Sequence, residues 1–157
     1  KSFEDRLDDT FFVIYGDIFS LVDYTKMAAA WEEKPADALG MQRMRFTDDY
    51  ADADVAEVDA DGRCTAIHPK PHSRTYPNAY RMRGVFILRK KILSYAPNDA
   101  PYEINTELLP DIVKRGLKFY GYECNEYSMG IDTMEKWREV EEYLKRNPGG
   151  SGTLGNS

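Results

Sequence analysis

The sequence predicts an α/β fold in which a mainly parallel sheet is flanked by helices, and three observations support this prediction. Phe11–Tyr15 is a continuous apolar run followed directly by Gly16 and Asp17, a pattern typical of a strand that is covered on both faces. A segment with helical spacing comes next, and strands and helices continue to alternate along the chain. A β-hairpin predicted over residues 55–67 interrupts this alternation as an insertion.

The helix after the first strand is predicted to begin at Asp23, whose side chain can accept a hydrogen bond from the first turn. Its end is set by Pro35, which cannot continue a helix. Apolar side chains recur at helical spacing and form one face, namely Tyr24, Met27, Ala28 and Trp31. The pattern therefore predicts a strand, a helix and then a second strand over residues 38–46.

The middle of the chain contains turn signals and further apolar runs. Asp61-Gly62 supplies the positive φ that the predicted hairpin needs, and prolines make residues 69–77 a loop. The remaining predicted elements are a buried strand at 84–88, a short helix around Lys90–Tyr95, a helix over 104–115 closed by Gly116, and a strand at 117–123.

The last helix is predicted from Asp132, which has the spacing of a capping box with Glu135. One of its faces is apolar and consists of Met134, Trp137, Val140 and Leu144. Residues 148–157, PGGSGTLGNS, have the composition of a flexible linker or tail, so residues 1–147 are predicted to form the domain. A further domain fused after this linker is possible.

Composition and charge exclude several functional classes. A net charge of −6 over 157 residues argues against nucleic-acid binding, which needs a basic face. No apolar run approaches the roughly 20 residues that cross a bilayer, so we predict a cytoplasmic protein that does not bind membranes. Cys64 and Cys124 are far apart and are predicted to be small buried apolar residues.

Asp17 is the first candidate functional residue. In open α/β sheets ligands bind beyond the carboxyl ends of the strands, so an acid directly after a strand faces that crevice. Gly16 removes a side chain where a ligand could approach the backbone. A carboxylate in this position can hold Mg²⁺, although an aspartate at a strand end can also cap the next turn.

The order of segments resembles a known family. FFVIYGDIF, the helix after it, the hairpin ending in AIHPKPH, the strand GVFIL, ELLPDIVKRGLKFYGY and the closing YSMGIDTMEKW follow one another as in the C-terminal two-thirds of bacterial sugar-1-phosphate nucleotidyltransferases. Residues 50–72 look most like the enzymes that attach GMP to heptose 1-phosphate or mannose 1-phosphate. The resemblance implies a Rossmann-like fold of the nucleotide-diphospho-sugar transferase type.

The resemblance also implies roles for individual residues. Asp17 takes the place of the aspartate that binds the catalytic Mg²⁺, after Gly16. Lys70 in HPKPH matches the lysine that contacts the sugar phosphate, where an ammonium is a compact counter-charge. Gly84 matches the glycine of the Asn-Ala-Gly that contacts the sugar. Nucleoside triphosphate, with GTP favoured, and a sugar 1-phosphate are then the implied substrates.

The chain departs from the family pattern in two segments. Met82-Arg83-Gly84 stands in place of Asn-Ala-Gly, so only the glycine is kept. The second metal-binding aspartate of the family falls on Gly130, or on Ser128 in a slipped register. Asp132 is close by in sequence and is a second candidate ligand. His68 and His72 are predicted to be loop or packing residues, since no acid accompanies them in a metal-ligand pattern.

An N-terminal Gly-rich loop that holds the nucleotide phosphates belongs to the family pattern, and nothing before Phe11 matches it. GGSGTL in the tail follows a helix end instead of a strand and is interpreted as linker. We therefore expect this chain to be the C-terminal portion of a larger domain whose first strands are missing. The isolated chain should associate through uncovered apolar surface and should release no pyrophosphate.

Two alternatives stay open at this point. A metal-dependent glycosyltransferase would need an Asp-x-Asp motif, which could be Asp52-Ala53-Asp54 or Asp59-Ala60-Asp61. A noncatalytic module that binds nucleotide sugars would explain why the second acid and the phosphate loop are both missing. The favoured hypothesis is a nucleotidyltransferase that makes a nucleotide sugar and releases pyrophosphate.

Overall fold

The computed structural model describes residues 4–48, 50–76, 78–97 and 101–148. Along the chain the elements are β1 Thr10–Ile14, β2 Ile18–Ser20, α1 Tyr24–Glu32, β3 Gly40–Phe46, β4 Val55–Val58, β5 Cys64–His68, β6 Tyr80–Arg89, α2 Leu109–Lys114, β7 Phe119–Glu123, β8 Ser128–Gly130 and α3 Met134–Arg146. Short 3₁₀ or π turns occupy Glu4–Arg6, Lys90–Tyr95 and Ile104–Leu108.

The described residues form a six-stranded sheet organised around β6. One edge of β6 pairs with β3, and the other edge pairs first with β4, at Tyr80 and Arg81, and then with β1, at Val85–Arg89. Outside these strands, β7 pairs with β3 and β5 pairs with β4. A separate two-stranded sheet joins β2 to β8.

The α/β class is confirmed, but the prediction of a mainly parallel sheet is wrong for the described strands, where β3 and β7 make the parallel pair. Phe46 at the end of β3 lies opposite Tyr80 at the start of β6. The chain thus leaves and re-enters the sheet at the same edge, without the crossover helix that parallel pairing requires. As a result β6 runs antiparallel between β1 and β3, which share one direction.

Helices cover both faces of the sheet as predicted. Asp23 caps α1 by accepting a hydrogen bond from the Lys26 N–H at 3.0 Å, and α1 buries Met27 and Trp31 against one face. On that face their buried neighbours include Met41, Val85, Ile87 and Cys124. On the opposite face, α2 packs with Cys64, Phe86, Leu88 and Phe119. Both cysteines are buried free thiols, as expected.

Two glycines adopt a positive φ at the turns where the sequence predicted it. Gly62 has a φ of +76° in the turn between β4 and β5, and Gly116 has a φ of +72° after α2. The hairpin tip folds over the sheet, because the Gly121 N–H in β7 donates to the Gly62 carbonyl at 2.8 Å. The predicted hairpin insertion is confirmed, and it forms a wall at one side of the sheet.

The prediction that the first strand is buried on both faces is wrong. Phe12 is 40% exposed and Ile14 is 48% exposed, whereas the alternate residues Phe11 and Val13 pack against the core. Within the described ranges β1 pairs with β6 and with no other strand. An apolar run indicates that both faces can be covered, but covering them takes neighbours that local sequence does not specify.

The predicted capping box of the last helix is also corrected. Thr133, and not Asp132, is the N-cap of α3, and its hydroxyl accepts from the Lys136 N–H at 3.3 Å. On the predicted apolar face Val140 is buried, but Met134 is 68% exposed. Much of this face therefore stays open in the described part of the chain.

The end of the chain is described as far as Pro148, so the prediction of a linker over 148–157 falls almost entirely outside the described residues. Within those residues, no helix has both the length and the apolar character needed to span a bilayer. The cytoplasmic location stays a prediction.

Candidate functional site

A cavity of about 190 Å³ opens at the carboxyl ends of β1 and β3, where the antiparallel β6 begins. Three loops and the small β2–β8 sheet surround it. Its lining consists of Tyr15, Ile18, Asp52, Ala53, Asp54, Lys70, Arg81, Met82, Arg83, Gly84, Asn105, Ser128 and Gly130. Segments from across the whole sequence therefore meet at the edge of the sheet where an α/β fold binds its ligands.

Asp17 lies in the turn that joins β1 to β2, directly beside this cavity. The Tyr15 N–H donates to the Gly84 carbonyl at 2.9 Å and so ties the start of the turn to β6. The next residue, Ile18, lines the cavity, whereas Asp17 and Gly16 are exposed at its margin. No atom would lie within 4 Å of a Cβ added to Gly16, so the turn is open to a ligand.

The β2–β8 sheet positions the segment that was expected to carry a second acid. Ile18 is paired with Gly130, and the Ile131 N–H donates to the Asp17 carbonyl at 2.7 Å. Gly130, one of the two positions expected for the second acid, therefore lies beside the Asp17 turn and has no carboxylate. Ser128, the slipped alternative, lines the same cavity.

Asp132 lies just beyond this segment and has a partner of its own. Its carboxylate pairs with the Lys136 ammonium at 2.8 Å on the first turn of α3. The hydrogen bond from Lys136 lowers the pKa of Asp132. Asp132 is therefore a charged group that already has a cation beside it, in contrast to Asp17.

Lys70 lies in the loop after β5 and lines the cavity. Its backbone N–H donates to the Asp54 carboxylate at 3.1 Å, and its ammonium donates to Asp52 at 2.9 Å. The hydrogen bond from Lys70 is the main cause of a lowered Asp52 pKa. Two acids thus hold the lysine at the cavity, and its remaining N–H groups can still reach a ligand.

These contacts weaken the glycosyltransferase alternative. Asp52 and Asp54, one candidate Asp-x-Asp, both bind Lys70. In the other candidate, the Asp59 carboxylate accepts from the backbone N–H groups of Asp61 and Arg63 and so stabilises the hairpin turn. The carboxylates of Asp52, Asp54 and Asp59 therefore have structural contacts that account for them.

The two histidines hold the loop that carries Lys70. His68 stacks on Tyr76, with ring centroids 4.0 Å apart, and its Nε2 contacts the Glu57 carboxylate at 2.7 Å. His72 places its Nε2 2.7 Å from the Ala53 carbonyl oxygen. Both are packing residues of the loop, as the sequence indicated.

Gly84 lines the cavity and is also required by packing. A Cβ at this position would lie 2.5 Å from Ile18 Cδ1 and from the Tyr15 ring. Burial, followed by the neighbouring Glu103, raises the pKa of Tyr15, whose hydroxyl donates to that carboxylate at 3.1 Å. Close packing of β1, β2 and β6 therefore explains the glycine independently of a substrate contact.

Sequence reasoning did not identify several residues that line the cavity, chiefly Arg81, Arg83 and Asn105. Asn105 accepts a hydrogen bond from Gln42 Nε2 at 3.1 Å, and the same nitrogen donates to the Arg83 carbonyl at 2.8 Å. The sequence did contain a signal for the two arginines, because Arg81 and Arg83 are two positions apart and come directly before the apolar run at 84–88. They place two cations on one face of a strand that then enters the core.

The described residues contain no group of three or more histidine, cysteine, aspartate or glutamate side chains that could hold a metal ion. Asp17 has an exposed carboxylate for which no hydrogen bond or ion pair with another described residue is found. Mg²⁺ is commonly bound through one or two carboxylates while substrate phosphates and water complete its shell. The carboxylate of Asp17, at the rim of a cavity that substrate phosphates could enter, fits that mode of binding.

The fold and the position of this cavity define a class, the Rossmann-like α/β domains. Among solved structures, HddC from Yersinia pseudotuberculosis matches with a TM-score of 0.68 and 21% identity over 91% of this chain and 59% of HddC. HddC has also been solved with GMP-PN. A Bacillus anthracis protein assigned as a glucose-1-phosphate thymidylyltransferase matches with a TM-score of 0.74 and 17% identity, over 99% of this chain and 61% of that one.

By sequence, the chain is 24% identical over 147 residues to a UTP–glucose-1-phosphate uridylyltransferase of Synechocystis. This match covers 93% of the chain but 38% of the relative, so the chain spans well under half of that protein. No protein-family model matches. The resemblance to sugar-1-phosphate nucleotidyltransferases is confirmed, and the chain has their fold.

Proposed function

We propose that this chain supplies the sugar-phosphate side of a nucleotidyltransferase that makes a nucleotide sugar from a nucleoside triphosphate and a sugar 1-phosphate. The observation that carries the proposal is the cavity in which Lys70 and Gly84 meet beside the turn of Asp17. We favour GTP because residues 50–72 resemble the enzymes that attach GMP. The similarity of the chain to a UTP–glucose-1-phosphate uridylyltransferase supports the reaction type.

In the proposed reaction an oxygen of the sugar 1-phosphate attacks the α-phosphorus of the triphosphate. A new bond forms between this oxygen and the α-phosphorus. The bond between the α-phosphorus and the oxygen that bridges it to the β-phosphate breaks, and pyrophosphate leaves. Lys70 would hold the sugar phosphate. Before substrate arrives, Asp54 holds its backbone N–H and Asp52 holds its ammonium. The reaction depends on positioning and charge neutralisation, so it needs no protein nucleophile.

Asp17 would hold Mg²⁺, which neutralises phosphate charge when it is bound. Asp132 is a weaker second candidate, because Lys136 already pairs with its carboxylate. The Gly-rich loop implied by the resemblance has no counterpart in the described residues, so we propose that this chain alone binds a sugar phosphate but does not turn it over. A domain fused beyond residue 148 stays a prediction.

The test is a calorimetric titration of the 157-residue chain with mannose 1-phosphate. Lys70→Ala should weaken binding by about 10- to 100-fold, since a hydrogen bond to a charged group contributes roughly 1.5–3 kcal/mol. The matched control is Lys114→Ala, which removes an exposed lysine on α2, away from the cavity. Unchanged binding in Lys70→Ala, or no binding by the original chain, would overturn the proposal.

Pyrophosphate release separates binding from catalysis. The isolated chain should give none with GTP, Mg²⁺ and mannose 1-phosphate, whereas a longer chain that contains the upstream phosphate loop should give it. Turnover by the isolated 157 residues would show that the whole site is present in them.

A further inference from the structure

Two arginines line the cavity in addition to Lys70. Arg81 and Arg83 are alternate residues of β6 and so project from the same face of the strand. The Nε atom of each is buried without a hydrogen-bond partner. Within the described ranges, no hydrogen bond or ion pair from either guanidinium to another residue is found.

These arginines belong to a larger group of like charges. Arg45 of β3 lies directly opposite Arg81, and Arg43 is two residues before Arg45 on the same face. We call Arg43, Arg45, Arg81 and Arg83 the arginine quartet. Like charges opposite one another on neighbouring strands destabilise a sheet, so four of them on one face require a reason.

The pKa of Arg83 reflects its burial next to the other three arginines of the quartet. Burial, followed by the like charges of Arg81, Arg43 and Arg45, lowers the pKa of Arg83 to about 10. Arg83 nevertheless stays charged near neutral pH. The quartet therefore puts several positive charges on one side of a small cavity, where water screens them less than at the surface.

Protein groups neutralise the quartet only in part. The 1% exposed Arg43 donates to Cys124 Sγ at 3.0 Å and to the Glu126 carbonyl, yet its Nη1 has no partner. Asp52 lies near enough to Arg81 for the arginine to lower its pKa, but the Asp52 carboxylate is hydrogen bonded to Lys70.

Ser128 adds a neutral group that is free to bind. It lines the cavity, is 7% exposed, and has a buried Oγ without a hydrogen-bond partner. A hydroxyl can donate to an anionic oxygen while the guanidinium groups bind it from another side. The cavity thus contains more buried hydrogen-bond donors than one phosphate bound to Lys70 would need.

We propose that Arg81 and Arg83 form a second anion subsite, so that the preferred sugar 1-phosphate carries a further carboxylate or phosphate on its sugar ring. This inference rests on the proposed function, in which Lys70 holds the anomeric phosphate. The planar fork of a guanidinium matches a carboxylate or phosphate with two parallel hydrogen bonds. The hydroxyls of a neutral sugar would leave buried cations without a counter-charge.

The test compares three ligands by calorimetric titration of the 157-residue chain: mannose 1-phosphate, mannose 1,6-bisphosphate and glucuronic acid 1-phosphate. At least one of the two acidic ligands should bind about tenfold more tightly than mannose 1-phosphate. Comparing the two tells whether the subsite prefers a phosphate or a carboxylate. The comparison needs no variant, so it stands even where an arginine substitution impairs folding.

Variants then assign the preference to the arginines. Arg81→Gln and Arg83→Gln should each weaken binding of the preferred acidic ligand more than binding of mannose 1-phosphate, and so remove most of the preference. Arg138→Gln, at an exposed position on α3, is the matched control and should keep the preference.

Two results would overturn the inference alone. The first is equal binding of neutral and acidic ligands by the original chain. The second is an equal loss for all three ligands in the arginine variants, which would mean that the arginines hold the anomeric phosphate. Failure of every sugar 1-phosphate to bind would instead overturn the proposed function, and this inference with it.

Discussion

The backbone carbonyl of Asp17 accepts a hydrogen bond from the Ile131 N–H at 2.7 Å, so the segment of β8 lies against the turn that carries the acid. A Cβ added to Gly130 would meet one atom within 4 Å, the Asp17 carbonyl oxygen at 3.9 Å. The backbone at Gly130 is outside the left-handed region, so a side chain can be added there without strain.

Gly130→Asp should therefore create a two-carboxylate site beside the cavity. A second anionic ligand raises the affinity for a divalent cation, and we expect Mg²⁺ and Mn²⁺ to bind about tenfold more tightly. Titration calorimetry with each cation measures the change.

Gly130→Asn is the matched control, since it has a similar shape without the charge and should give little gain. Adding Asp17→Asn to the Gly130→Asp variant should remove the gain. An affinity that Gly130→Asp leaves unchanged would contradict the placement of the metal at Asp17.

The open face of β1 predicts self-association. Phe12 and Ile14 are 40% and 48% exposed on a strand that pairs along one edge in the described part of the chain. Burying the exposed part of each side chain against a second copy contributes roughly 1 kcal/mol, about half the value for a fully exposed side chain. Ile14→Lys should raise the dissociation constant of the associated form about tenfold or more, as measured by sedimentation or by light scattering after gel filtration.

Trp137→Lys provides the comparison, because Trp137 is 47% exposed on α3 and far along the chain from β1. If association depends on the β1 face, this variant should associate as the original chain does. A monomeric original chain, or equal effects of both substitutions, would contradict the prediction.

Cys64 should make the protein less stable at alkaline pH. Burial raises the pKa of its thiol from 9.0 to about 12, so below pH 9 the thiol is neutral in both the folded and the unfolded chain. Between pH 9 and pH 12 the unfolded chain loses this proton and the folded chain keeps it. The free energy of unfolding should then fall by up to about 1.4 kcal/mol per pH unit from this group.

Urea unfolding from pH 8 to pH 10.5 measures this slope. Cys64→Ala should flatten it while retaining the contribution of Cys124, whose thiol pKa is raised to about 11. A slope that Cys64→Ala does not change would argue against the buried thiol, as would rapid labelling of native Cys64 by a maleimide at pH 8.

Features set by local chemistry could be predicted from the sequence. Asp23 caps α1 because its carboxylate reaches a backbone N–H three residues away, and this depends on nothing distant. Gly62 and Gly116 mark their turns because few other residues adopt a positive φ. The place of Lys70 beside the turn of Asp17 came from the family resemblance and not from spacing.

Features set by distant partners could not be predicted in this way. The three-residue strands β2 and β8 are too short for an alternating pattern, and they exist because Ile18–Ser20 meets Ser128–Gly130 across the chain. The exposure of Ile14 depends on which strand lies beside β1. Arg83 lines the cavity because the chain returns to the same edge of the sheet after the hairpin. This topology cannot be inferred from the presence of a charged residue in a strand.

The ten-residue strand β6 also constrains how the site can move. It is hydrogen bonded to β1, which leads into the turn of Asp17, and to β4, which begins the hairpin that precedes the loop of Lys70. These two strands cannot slide past one another without breaking their ladders with β6. The loop of Lys70 is held mainly by side-chain contacts, such as the stacking of His68 on Tyr76. A shift of the Asp17 turn relative to the start of this hairpin would therefore break hydrogen bonds between β6 and its neighbours.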